Sequence, residues 1–218
     1  MTWSRPTPRR VRPSPMAKAE AAPSVGIGLL GLGVVGSGVL RALRENAEIY
    51  SQRCGRRLVV RGIAVRDPAR ARSLEVDPAL LTHDPLALVA NPDIDVVVEV
   101  MGGEDPAAAC IEGALRAGKP IVTANKEVMA KHGPRLLAIA QRSGLAIAYE
   151  ASVGAGIPII AALMRDLQAN EIVRLVAIIN GTTNFILTAM GQGGISYDDA
   201  LAEAQRRGYA EADPSADV

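Results

Sequence analysis

A chain of 218 residues has room for one α/β domain and part of a second, because domains commonly run about 100–200 residues. Lysine and arginine number 24 against 23 aspartates and glutamates, and a net charge of +1 supplies no field that would gather nucleic acid or a membrane surface. Hydrophobic residues make up 49% of the chain but aromatic ones only 3%, so the core must come from Ala, Val, Leu and Ile, which suit parallel strands buried under helices.

Residues 1–24 mix Pro and Arg around a single acid, Glu20, without an apolar run or periodicity, and are expected to form a disordered leader. They do not read as a secretory signal. Their Arg-rich, acid-poor character shares features with organellar transit segments, while Met16 offers a second start, and both readings stay open. No apolar run approaches the roughly 20 residues that a membrane span needs. Cys54 and Cys110 share no spacing typical of a zinc site or redox pair, and the chain's 2 histidines cannot complete one. Free thiols in a cytoplasmic protein are the expected reading.

From Val25 the pattern changes. The run Val25-Gly26-Ile27-Gly28-Leu29-Leu30-Gly31 leads into a helical period through Val39, Leu40 and Leu43, which reads as strand, tight turn and helix. Residues 58–65 form a second, β-branched strand closed by Asp67-Pro68. Asp84-Pro85 opens a short amphipathic segment, and 95–101 is a third strand, apolar enough to be buried on both faces. A helix starting at Glu104-Asp105-Pro106 runs through Cys110 and Leu115 to a C-cap at Gly118. A fourth strand at 120–123, a helix at 127–143 and a fifth strand at 145–149 continue the alternation. Alternation of this kind predicts parallel βαβ units, a Rossmann-type doubly wound α/β domain over 25–150. Beyond Glu150 come a glycine-rich turn, a helix at about 158–168, a strand at 172–179 and helices at 184–190 and 197–207, so a second domain is expected over 151–218.

The motif Gly31-Leu32-Gly33-Val34-Val35-Gly36 stands where the first strand ends and the first helix starts. Gly31 allows the tight turn, Gly33 lets backbone amides approach a pyrophosphate, and Gly36 permits close helix–strand contact, while the helix N-terminus offers N–H groups to phosphate. The second strand ends Ala64-Val65-Arg66, where a site for NAD usually carries an acid. Arg66 favours the 2′-phosphate of NADP. Asp67 is either an Asx-turn former before Pro68 or an acid that admits NAD.

Five further segments carry a family resemblance. They are Val98-Glu99-Val100-Met101-Gly102-Gly103, Thr123-Ala124-Asn125-Lys126, Tyr149-Glu150-Ala151-Ser152-Val153-Gly154-Ala155-Gly156-Ile157-Pro158, Asn180-Gly181-Thr182-Thr183-Asn184-Phe185-Ile186-Leu187 and Gly208-Tyr209-Ala210-Glu211-Ala212-Asp213-Pro214. In order and spacing the chain from Val25 to Val218 resembles the homoserine dehydrogenases. The resemblance implies reversible hydride transfer between NAD(P)H and L-aspartate 4-semialdehyde, giving L-homoserine on the route to threonine, methionine and isoleucine. It implies that the second domain is the beginning of an α+β substrate and dimerisation domain, with a homodimer for the full-length protein.

The residue roles follow from the same resemblance. Gly102 and Gly103 leave space for the nicotinamide ribose, and Lys126 orients cofactor and substrate and assists proton movement at the developing alkoxide. Glu150 by its side chain, with the carbonyls of Val153, Ala155 and Ile157, resembles a monovalent cation site, sodium in the family, and oxygen-only ligation suits a hard cation. The Asn180–Thr183 loop, with Thr182 or Thr183 capping a helix, lies beside the substrate, and Glu211 matches the carboxylate that grips the substrate ammonium. His83 and His132 match no family role and are expected on helix or loop surfaces. The family's proton-donor lysine and a second substrate carboxylate are expected beyond Val218, so the chain is expected to be catalytically incomplete. Two rivals remain: a non-catalytic NADP-binding or subunit-interaction module, and another semialdehyde-acting Rossmann oxidoreductase whose thioester chemistry would need a reactive cysteine.

Overall fold

The structure is a computed structural model that describes residues 23–69, 74–177 and 180–210. It divides into two compact units, one of residues 1–122 and 134–147, the other of 123–133 and 148–218. The sequence reading places 123–133 with the dinucleotide domain, whereas by compactness that segment groups with the second unit.

The first strand, β1 (Ser24–Leu30), is the centre of a six-stranded sheet. It is followed by α1 (Val34–Glu45), α2 (Ala47–Cys54), β2 (Arg57–Ala64), β3 (Leu81–Thr82), α3 (Pro85–Ala90) and β4 (Val96–Glu99). Then come α4 (Ala107–Arg116), β5 (Ile121–Thr123), α5 (Lys126–Arg142) and β6 (Ile147–Ala148). The strand order is β3-β2-β1-β4-β5-β6, and β1 pairs in parallel with both β2 and β4. This is the doubly wound Rossmann order, with its switch point between β1 and β4.

The sequence explains why these strands lie at the centre. Ile27, Leu29, Ile63 and Val98 are buried in one cluster with Leu40 of α1, and no aromatic ring takes part. Gly118, at φ +78, ends α4 in the left-handed conformation expected of a C-cap glycine. Pro134 stands inside α5 and removes one N–H from its ladder.

In the second unit α6 (Gly181–Gly193) packs with α7 (Tyr197–Arg206) through buried Ile186, Ala200 and Ala204. Two expectations need correction here. The strand expected at 172–179 does not form over 171–177, which have no regular structure, while 178–179 lie outside the described residues. β-Branched residues favour a strand only when a neighbouring strand takes their N–H and C=O groups, and no described strand pairs with this stretch. The helix expected at about 158–168 is shorter, helical over 160–166 with π-type bonding from Ala162 to Asp166. Two elements escaped the sequence reading: α2, which ends on exposed Cys54, and the two-residue strand β3.

Candidate functional site

Within the first unit a cleft of about 950 Å³ opens at the carboxyl ends of β1, β2 and β4. Its walls come from Gly31–Val34, the start of α1, Ala64–Asp67, and Val100–Gly102. Ligands of open α/β sheets bind at this edge and at this switch point.

The three glycines of the loop have different surroundings. Gly31 has φ +103, and a Cβ there would sit 2.7 Å from the Val100 carbonyl oxygen, so both conformation and space demand glycine. A Cβ on Gly36 would lie 2.2 Å from the Gly31 carbonyl oxygen, which shows how closely the helix presses on the loop. Gly33, the N-cap of α1, faces open space, with nothing within 4 Å of a built Cβ. The first helix-type bond runs from the Ser37 N–H to the Gly33 carbonyl at 2.9 Å. The amides of Val34, Val35 and Gly36 therefore precede the helix's own ladder. No acidic residue occupies the first turn of α1, so its partial positive charge is left for an anion. Val34 is 93% exposed on the cleft wall, an apolar side chain that a bound ligand would cover.

Arg66 borders the cleft, as does Asp67. Asp67 Oδ1 accepts the Ala69 N–H at 2.9 Å, which is the Asx turn weighed for it. Residues given no site role in the sequence reading also line the cleft: Ser37 and Arg41, one turn apart on α1, Asp105, and His83, which lies on an exposed bend as expected. Only the face of α1 turned towards the cleft could have singled out Arg41, and periodicity gives no cleft. Leu32 lines the wall, whereas Val35 and Gly36 stand outside it.

At the end of β4, Gly102 and Gly103 both have φ +74, and a Cβ on either would meet nothing within 4 Å. The turn is anchored from behind by Glu99. Its fully buried carboxylate accepts the Met101 N–H at 2.8 Å. On α4 the Cys110 thiol is buried, and burial, with the charges of Glu99 and Asp84 behind it, pushes its pKa up to about 11. That cysteine is a poor nucleophile.

In the second unit, Asn125 caps the helix that begins with Lys126: its Oδ1 accepts the Val128 N–H at 3.0 Å. Glu150 grips the backbone that follows it. Oε1 accepts the N–H groups of Ile159 and Ile160 at 2.6 and 2.8 Å, and Oε2 that of Ala161 at 2.7 Å. These bonds, Ile159's first, hold the Glu150 carboxyl below its ordinary pKa. Ala155, in the intervening loop, has φ +52, the one positive φ outside glycine among the described residues. A carboxylate has about four acceptor positions, so the three accepted N–H groups leave about one open on Glu150.

Asn180, and neither threonine, caps α6, its Oδ1 accepting the Thr183 N–H at 2.8 Å. Asn reaches the N3 amide as readily as Thr and stands at the N-cap itself. Buried Thr182 instead donates from Oγ1 to the Tyr209 carbonyl at 2.5 Å, tying the start of α6 to the segment after α7. Tyr209 also meets Phe185 edge to face, with ring centroids 5.2 Å apart. Glu211 and Asp213 lie outside the described residues.

Comparison with known proteins gives one answer. The pattern described as "Homoserine dehydrogenase, NAD binding domain" matches residues 31–150, and that described as "Homoserine dehydrogenase" matches 158–218. The homoserine dehydrogenase of Corynebacterium glutamicum is 47% identical over 195 residues, which are 89% of this chain and 44% of that protein. A crystal structure of a homoserine dehydrogenase from Thiobacillus denitrificans matches with a TM-score of 0.82 at 48% identity, over 89% of this chain and 45% of that one. A hyperthermophilic archaeal homoserine dehydrogenase in complex with NADPH matches with a TM-score of 0.74 at 30% identity, over 89% of this chain and 65% of that one. The chain spans about half the length of the curated relatives it matches.

Proposed function

Because the chain belongs to the homoserine dehydrogenase family, we propose that it carries the cofactor half and part of the substrate half of an NADP-preferring enzyme interconverting L-aspartate 4-semialdehyde and L-homoserine. The observation that carries this reading is the cleft at the β1–β4 switch point, with the start of α1 and Arg66 on its walls. The neighbour bound to NADPH supports the same cofactor class.

The chain's own residues act in sequence. Amides at the start of α1 hold the pyrophosphate, and Gly33 keeps that approach free of a side chain. Arg66 takes the 2′-phosphate that distinguishes NADP from NAD. Gly102 and Gly103 leave room for the nicotinamide ribose. The nicotinamide, when bound, supplies or accepts the hydride. Lys126 places an ammonium at the carbonyl oxygen that becomes an alkoxide, stabilising charge there and orienting the substrate. Glu211 takes the substrate ammonium, and Asn180 and Thr182 stand in the loop beside the substrate, Asn180 capping α6 and Thr182 bonded to the Tyr209 carbonyl. Glu150, with the carbonyls of Val153, Ala155 and Ile157, holds a sodium-like cation that stiffens the loop. A homodimer in the cytoplasm is the setting proposed for the full-length protein. Among the described residues no helix is long and apolar enough to cross a membrane.

The rival with thioester chemistry finds no support, because Cys110 is buried with a raised pKa and Cys54 ends α2, away from any strand's carboxyl end. The test is a titration of the protein with NADPH and NADH followed by fluorescence. Tighter binding of NADPH is expected, and failure to bind either dinucleotide overturns the proposal.

A further inference from the structure

A carboxylate buried inside a parallel sheet needs an explanation, since burying a charge is costly unless hydrogen bonds compensate it. Glu99 ends β4 opposite Leu30 of β1, fully buried, with Oε1 on the Met101 N–H. Among the described residues no fully buried side-chain oxygen or nitrogen lacks a hydrogen-bond partner. The carboxylate is thus satisfied, and its bond reaches forward along its own chain into the turn that borders the cleft.

Gly102 and Gly103 are successive left-handed residues, a conformation that glycine permits without enforcing. On its near side the turn abuts the phosphate loop, because a Cβ on Gly31 would lie 3.1 Å from the Met101 Cα and one on Gly36 3.3 Å from Val100 Cγ2. A shift of Met101 by a few tenths of an ångström would therefore move the cleft wall and press on the Gly31 turn together.

We infer that Glu99 is a positioning residue of the dinucleotide site: by accepting the Met101 N–H from beneath the sheet edge, it fixes the Met101–Gly103 turn against the glycine loop. The inference rests on the dinucleotide reading of the cleft. The part played is that of an acceptor with the right reach, so Gln should replace Glu, while Ala and the shorter Asp should not.

The experiment compares Glu99→Gln, Glu99→Asp and Glu99→Ala with the unchanged protein, measuring NADPH affinity by fluorescence titration and amide exchange at Met101. Melting temperature serves as the control for folding. A backbone N–H that loses its acceptor is costly, so Glu99→Ala and Glu99→Asp are expected to weaken NADPH binding by about tenfold or more and to speed exchange at Met101. Glu99→Gln is expected to stay within about threefold of the unchanged protein in affinity. If Glu99→Ala fails to fold, the contrast between Gln and Asp decides. Equal affinity in all variants, or an Asp variant that binds well beside a Gln variant that does not, overturns the inference alone. An unchanged protein that binds no dinucleotide overturns the reading of the cleft and the inference with it.

Discussion

In the proposed reading, Arg66 is the residue on which cofactor choice turns. It borders the cleft beside Asp67, whose carboxylate is engaged in the Asx turn with Ala69. Replacing Arg66 with Ala should weaken NADPH binding by about tenfold or more, the worth of a charge-assisted contact, and leave NADH nearly unchanged. Parallel titrations with the two dinucleotides check this, and an equal loss for both would remove Arg66 from the 2′-phosphate. Gly36 is the second decisive position. Because a Cβ there would sit 2.2 Å from a backbone oxygen, Gly36→Ala should lower the melting temperature and weaken both dinucleotides alike, having deformed the loop they share. The glycine motif was legible because Gly31 and Gly36 each answer a separate steric demand visible in the spacing. Glu99 was quoted within a motif yet carried no role, since its meaning lies in a bond to a backbone amide two residues on. Arg41 and His83 were illegible for another reason: which helix face and which strand tip meet the cleft is decided by packing.

At the scale of elements, the hydrophobic runs that became β1, β2 and β4 were readable because their residues are buried by their own neighbours in the sheet. The stretch 171–177 had the same composition and forms no strand, because composition provides no partner ladder. The two-residue β3 is too short to leave a period at all. Capping is legible with less certainty, as the start of α6 shows. The loop Asn180-Gly181-Thr182-Thr183 holds three candidate caps, and Asn180 occupies the N-cap while Thr182 turns inward to Tyr209. Asn180→Ala should cost about 1 kcal/mol of stability, and Asn180→Asp, which keeps the acceptor, should cost little. Denaturant melts of the two variants are the check. An Ala variant as stable as the Asp variant would mean that the Thr183 amide finds another acceptor.

At the scale of the whole molecule, two of the acids with lowered pKa values couple folding to pH by different physics. On the first unit, Glu112 is lowered by hydrogen bonds from Arg116 and then Arg135, at the surface. On the second, Glu150 is lowered by the backbone amides of Ile159, Ala161 and Ile160. Both folded values lie below the ordinary 4.5. The stability each adds is therefore complete above that pH and is lost as pH falls through the depressed folded value. Thermal melts from pH 7 to pH 3 should show this acid limb. Glu150→Gln, which sets an amide NH₂ against a backbone N–H, should lose stability at pH 7 and flatten the limb, whereas about 1 M salt, with a Debye length of about 3 Å, should weaken chiefly the Glu112 share. A Glu150→Gln variant with an unchanged limb would place the acid sensitivity elsewhere.

Length sets the remaining expectation at this scale. The chain spans 44% of the Corynebacterium glutamicum relative, and the cleft's walls lie wholly within its first unit. Dinucleotide binding is therefore expected of these 218 residues on their own. Titration with NADPH, followed by fluorescence, is the check, and a folded chain that binds no dinucleotide would place the binding determinants outside the first unit.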